Sequence, residues 1–168
     1  FRLAQWGYRP VILGARTPPA AIRHAVEKLD PALVGLSLTV APPAYRAREL
    51  VEEYAGACDG VPWLVGGVGA SEIEEVISAA GGVCMGDQSM ATMRARIDSL
   101  VARRRKRGDA SASDVADDDV PTAQGDGAIP AKSRSEAIEQ VRQAADKARR
   151  EAGNGAEHHL AAGREKSD

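Results

Sequence analysis

Aromatic residues make up only 4% of this 168-residue chain. A core of interlocking rings is therefore excluded, and packing falls to Val, Ile, Leu and Ala. The two cysteines, Cys58 and Cys84, have no metal-ligand spacing, which excludes a disulfide framework and Cys-x-x-Cys chemistry. No apolar run reaches the length of a membrane span, and no signal peptide is visible. The expected setting is soluble, reducing and cytoplasmic. Recognised catalytic patterns are also missing: there is no nucleophile elbow, no HExxH and no phosphate-cradling glycine loop. An enzyme reading is not favoured. The chain starts at Phe1, within what reads as a helix end closed by Gly7, so it is expected to be a fragment lacking an N-terminal portion.

Charge is abundant but uneven. Residues 1–108 carry 14 Lys and Arg against 11 Asp and Glu, whereas residues 109–168 carry 8 against 13. The positive half contains Arg103-Arg104-Arg105-Lys106-Arg107. One reading of that run is a nucleic-acid patch. The other, preferred on the sequence, is a set of cations favourable at a helix C-terminus. Of the three histidines, His24 lies off the apolar stripe of its helix and reads as a surface residue. His158 and His159 read as part of a polar tail, without other ligands nearby.

The 43% of hydrophobic residues are arranged in short pieces. Residues 32–40, Ala-Leu-Val-Gly-Leu-Ser-Leu-Thr-Val, form a nearly continuous apolar run bounded by prolines, as in a strand buried on both faces of a parallel sheet. Ser37 and Thr39, two residues apart on such a strand, would share one face. They are either a site or hydroxyls bonded to nearby backbone. Before this run, Tyr8 to Leu13 reads as a strand ended by Gly14. Thr17-Pro18-Pro19 then opens a helix with Ile22, Val26 and Leu29 inward, Thr17 as its cap.

After the run, Pro42-Pro43 opens a helix to about Ala57, with Tyr45, Leu50, Val51 and Tyr54 inward. Val61 to Val65 is the next strand, entering Gly66-Gly67. Ser71 and Glu74 match a capping box, and Val83 to Met85 is a last short strand closed by Gly86-Asp87. Ser89 starts a helix burying Met93, Ile97, Leu100 and Val101. Strand and helix thus alternate from residue 8 to about 107. That is the pattern of a doubly wound α/β domain around a parallel sheet, here with four strands and lacking its first.

The expected organisation is an α/β domain over 1–107, a disordered acidic linker over 108–132, an isolated helix over 133–152 and a disordered tail over 153–168. The linker composition cannot bury enough apolar surface to offset ordering entropy. The alanine-rich seam of Ile138, Val141, Ala145 and Ala148 is too weak for a coiled coil by itself.

Gly14, Ser37, Thr39, Gly66, Gly67 and Gly86 all fall at the C-terminal ends of expected strands, where open α/β sheets bind ligands. Glycine there lets a bulky ligand approach the backbone. Few charged residues accompany them, so the expected guest is large and mostly uncharged.

With these motifs in order, residues 1 to about 101 resemble the cobalamin-binding domain shared by methionine synthase, corrinoid carriers, cobalamin-dependent mutases and light-responsive transcriptional regulators. The resemblance rests on Gly7-Tyr8, Leu13-Gly14 with Thr17-Pro18, Ser37-Leu38-Thr39 and Gly66-Gly67. It implies a flavodoxin-like (Rossmann-type) fold into which the nucleotide tail of adenosylcobalamin or methylcobalamin inserts. Ser37 would bond the dimethylbenzimidazole base, and Gly66 and Gly67 would flank the tail. Thr39 stands where the family often has leucine. The family's Asp-x-His-x-x-Gly motif, which supplies the lower cobalt ligand, is not in this chain and would lie upstream of Phe1. The Thr-Pro-Pro turn and the Leu-Ser-Leu-Thr strand look more like the regulator branch, which implies DNA as a partner through a missing N-terminal domain and is compatible with a homo-oligomer. The alternatives are a corrinoid carrier or subunit of a cobalamin-dependent methyltransferase or isomerase, and a degenerate domain that binds no cofactor.

Overall fold

In a computed structural model, residues 2–86, 88–113 and 131–161 are described. Asp87, the linker residues 114–130 and the tail from 162 lie outside the described residues. The chain divides into two compact units, residues 1–30 with 130–168, and residues 31–129.

The second unit holds a three-stranded parallel sheet in the order β1-β2-β3. Its strands are β1 (Val34–Ser37), β2 (Trp63–Gly66) and β3 (Val83–Met85). Helix α3 (Ala44–Ala57) joins β1 to β2, and a 3-10 turn (Val68–Ile73) with α4 (Glu74–Ala79) joins β2 to β3. Helix α5 (Met90–Ser113) follows. Consecutive parallel neighbours, each linked through a helix, make a mixed α/β architecture compatible with the flavodoxin-like fold.

The core of this unit is built from β2 and the inner helix faces. Trp63 and Val65 are buried on β2, Cys84 and Met85 on β3, and Ala47, Val51, Ile77, Ile97, Leu100 and Val101 on the helices. Trp63 needs a partner without a side chain. A methyl at Gly82 would overlap its ring, so glycine there admits the indole. Ser89 caps α5 as expected: its hydroxyl oxygen accepts the backbone N–H of Thr92 at 3.2 Å.

Several expectations are corrected here. β1 is shorter than residues 32–40 and is not buried on both faces, because Gly35 and Ser37, which share one face, are exposed. The ladder ends at Ser37, and Thr39 and Val40 lie in a bend, so Thr39 no longer shares a strand face with Ser37. Ser71 does not cap a helix. It sits inside the 3-10 turn, where the Ala70 N–H bonds the Gly67 carbonyl at 3.1 Å, and α4 starts at Glu74 without a side-chain cap. Tyr45 points outward and is 83% exposed.

The first unit has no strand among the described residues. The expected strand Tyr8 to Leu13 does not form: the segment has no regular secondary structure. Side chains take its final carbonyls instead. Nη2 of Arg149 donates to the Leu13 carbonyl at 2.7 Å, and the Thr17 hydroxyl donates to the Gly14 carbonyl at 3.0 Å. Thr17 therefore closes a turn rather than capping α2 (Pro19–Leu29), whose N-cap is Pro18 with Pro19 at the first helical position. Gly7, at φ +87°, closes α1 (Arg2–Gln5) as expected.

Helix α6 spans Ala131–Ala161, longer than the expected 133–152, and packs along α2. Val141 and Ala145 are fully buried, and Ala21, Ile22, Ala25 and Val26 form the buried face of α2. The alanine-rich seam that is too weak to hold a coiled coil serves here as a close-packing stripe against another helix rich in alanine.

Candidate functional site

Parallel register brings four of the strand-end residues together. Ser37 on β1 stands opposite Gly66 on β2, and Gly66 stands opposite Met85 on β3, the residue before Gly86. Ser37, Gly66, Gly67 and Gly86 therefore line the carboxyl edge of one sheet. Thr39 lies two residues beyond the end of β1, in the loop leaving that edge. Gly14 belongs to the first unit, where its position at φ +97° is covered by the Arg149 guanidinium.

The glycines at the edge differ in what holds them there. Gly67 has φ +102° and ψ 164°, a region that only glycine adopts readily, and a methyl on it would overlap the Leu38 carbonyl. Gly69 is equally confined: a methyl there would fall 2.5 Å from the Ala41 nitrogen. The loops after β1 and β2 are laced by backbone bonds, from the Leu38 N–H to the Gly66 carbonyl at 2.8 Å and from the Gly69 N–H to the Leu38 carbonyl at 3.0 Å. Gly67 and Gly69 are thus accounted for by loop-on-loop packing. Gly66 is not, since a methyl at that position would find only ordinary contacts, the nearest at 3.8 Å on Met85.

Around this edge the loops expose apolar side chains. Val40 is 78% exposed and Val68 80% exposed; with Tyr45 at the start of α3 and Met90 at the start of α5, they all follow β-strand ends. In a parallel sheet every segment that leaves a strand's carboxyl end emerges on the same edge. Sequence reasoning missed this group. Its signal was available, because Val40 and Val68 stand just past strand ends, where polar turn residues are the rule. Ser71 is a further neighbour it missed: a methyl added at Gly86 would lie 3.3 Å from the Ser71 hydroxyl oxygen.

Of the described groups with a shifted pKa, Cys84 stands on the sheet next to this edge. Cys84, on β3, is buried, and burial together with the Glu74 carboxylate raises its pKa against the opposing pull of the Gly86 backbone N–H and Arg96. That thiol is held protonated and does not behave as a thiolate nucleophile at neutral pH. Among the described residues no group of three or more His, Cys, Asp and Glu could hold a metal ion. The arrangement can offer a hydroxyl, open backbone at Gly66 and an apolar rim, which suits an extended, weakly charged guest. A depression of about 470 Å³ lined by Arg48, Glu52, Glu75 and Val76 belongs to helix surfaces and not to the strand ends.

No family model matches the chain. Over 79 residues it is 35% identical to the HTH-type transcriptional repressor CarA of Myxococcus xanthus. The match covers 47% of this chain and 27% of that repressor, so the chain corresponds to a minor part of its relative's length. No helix among the described residues is long and apolar enough to cross a membrane.

Proposed function

We propose that this chain supplies the cobalamin-binding sensory module of a transcriptional regulator. The observation that carries the reading is the Ser37–Gly66 pairing at the carboxyl edge of the sheet. There a hydroxyl and a sterically open glycine sit side by side, within a rim of exposed Val40, Val68, Tyr45 and Met90. Similarity to a transcriptional repressor supports the regulatory half of the reading.

In this proposal Ser37 donates to a ring nitrogen of the cofactor's nucleotide base. Gly66 leaves room for the tail to lie against β2, and the apolar rim covers the flank of the macrocycle. Gly67 acts indirectly, by keeping the loop after β2 laced to the loop after β1. The cobalt centre, when cofactor is bound, supplies the light-sensitive or ligand-exchange chemistry, and the residues of this chain bind and orient the organic part. DNA would be the partner of the assembled regulator, and binding of cofactor would be the event it senses.

The test is titration of adenosylcobalamin and methylcobalamin into the protein, in the dark and after illumination, followed by visible absorption and equilibrium dialysis. Retention of either cofactor, weakened by Ser37→Ala and by Gly66→Leu, is the expected result. An unchanged spectrum with no cofactor retained on dialysis would rule the reading out, and affinity untouched by both substitutions would leave the sheet edge without a role.

A further inference from the structure

The run Arg103–Arg107 reads in the sequence as a cationic helix end, but α5 continues to Ser113. The cations therefore lie inside the helix, before the last turn over which the macrodipole rewards positive charge. Like charges three and four residues apart also oppose the helix that carries them. Neither helix electrostatics nor packing explains Arg103, Arg105, Lys106 and Arg107, which are all exposed.

The positions are not spread evenly once the buried side is considered. At about 100° per residue, Arg96, Arg103, Lys106 and Arg107 fall within an arc of roughly 100°. Ile97, Leu100 and Val101 are the buried side. Asp98 lies outside the cationic arc, on the side where it pairs with Arg94 at 3.8 Å. The result is an exposed row of four cations about 16 Å long, at about 1.5 Å rise per residue, with no acidic residue among them. No aromatic side chain lies on α5, so the row lacks the stacking platforms that single-stranded nucleic acid requires.

We propose that this face of α5 binds the phosphate backbone of duplex DNA, independently of base sequence. An exposed row of like charge suits a polyanion, and similarity to an HTH-type transcriptional repressor supports DNA as that polyanion. The proposal rests on the placement of charge and stands whether or not the sheet edge binds cobalamin. Its role is to add phosphate contacts to an assembly that reads its operator elsewhere.

Fluorescence anisotropy of the 168-residue protein with a fluorescein-labelled duplex of about 30 base pairs, from about 50 to 200 mM KCl, tests it. Binding should weaken with salt along a straight line in log–log form. Replacing Arg103, Lys106 and Arg107 together by Gln should weaken binding at least roughly tenfold at the lowest salt and reduce the slope by about 2.7, since each phosphate left unneutralised removes about 0.9. A control removing the same charge from α6, with Arg142, Lys147 and Arg150 replaced by Gln, should leave the slope unchanged. Circular dichroism melting would show that both variants remain folded. Four results would each overturn the proposal: no binding at the lowest salt, an unchanged slope in the α5 variant, equal weakening in both variants, or tighter binding to single-stranded DNA or polyglutamate than to the duplex.

Discussion

The Leu38 carbonyl sits where any side chain at Gly67 would have to go, and the same carbonyl accepts the Gly69 N–H at 3.0 Å. Two loops that leave neighbouring strands are thereby clamped backbone to backbone. Gly66, one residue earlier, is free of this constraint.

That contrast separates structural from ligand-facing glycine. Gly67→Ala should destabilise the domain by roughly 1–3 kcal/mol from backbone strain alone, lowering Tm by roughly 4–8 °C per kcal/mol. Gly66→Ala should leave the melting temperature close to the original. Thermal melts followed by circular dichroism decide it, and equal destabilisation by both substitutions would contradict the assignment.

Helix α6 gives a second prediction. Val141 is fully buried, and Val141→Ala should cost about 1–3 kcal/mol as a core truncation. Arg149→Met keeps the apolar stem but removes the bond to the Leu13 carbonyl, at a cost of about 1 kcal/mol for a partly exposed charged donor. Hydrogen exchange should report both as reduced amide protection along α6 and α2. Unchanged protection in Val141→Ala would show that the helix does not rest on that side chain.

Most of the second unit was legible in the sequence because its signals are local. Hydrophobic periodicity places α3 and α5, β-propensity and flanking glycines place β2 and β3, and Ser89 marks a helix start with a side-chain cap that forms. What failed were features decided by partners distant in sequence. Tyr8 to Leu13 has the composition of a strand but forms none, and its end is bonded by Arg149 from far along the chain. One face of β1 is exposed at Gly35 and Ser37, which depends on what packs over the sheet and not on the apolar run itself. Within the candidate site, Ser37 and Gly66 were legible as strand ends. The division of labour among Gly66, Gly67 and Gly69 was not, because it depends on where the Leu38 and Val40 backbone passes.

Cys58 supplies a prediction about pH. It is fully buried, and burial pushes its thiol from 9.0 to about 11. The folded state therefore keeps its proton over a range in which the unfolded state loses it. Since the unfolded chain binds fewer protons there, stability from this group is fully present below pH 9.0 and falls as pH rises towards about 11. Urea denaturation between about pH 8 and 11 should show a decline in midpoint that is reduced in Cys58→Ala, after allowing for that variant's own reduced packing. Native protein should also resist iodoacetamide at Cys58 near pH 8 and react once unfolded.

The exposed rim offers the sharpest separation of stability from binding. Val68 is 80% exposed, so Val68→Ser removes little from the core and should change stability by no more than about 0.5 kcal/mol. If the rim covers the flank of a bound macrocycle, the same substitution forfeits apolar burial worth up to about 1.5 kcal/mol. The dissociation constant for adenosylcobalamin should then rise by up to about tenfold. Glu72→Gln, on the same 3-10 turn, is the control, because it alters an exposed polar residue without removing apolar area. Equal effects on affinity from both substitutions would place the cofactor's contacts away from Val68, whereas weakening confined to Val68→Ser would identify the rim as a binding surface.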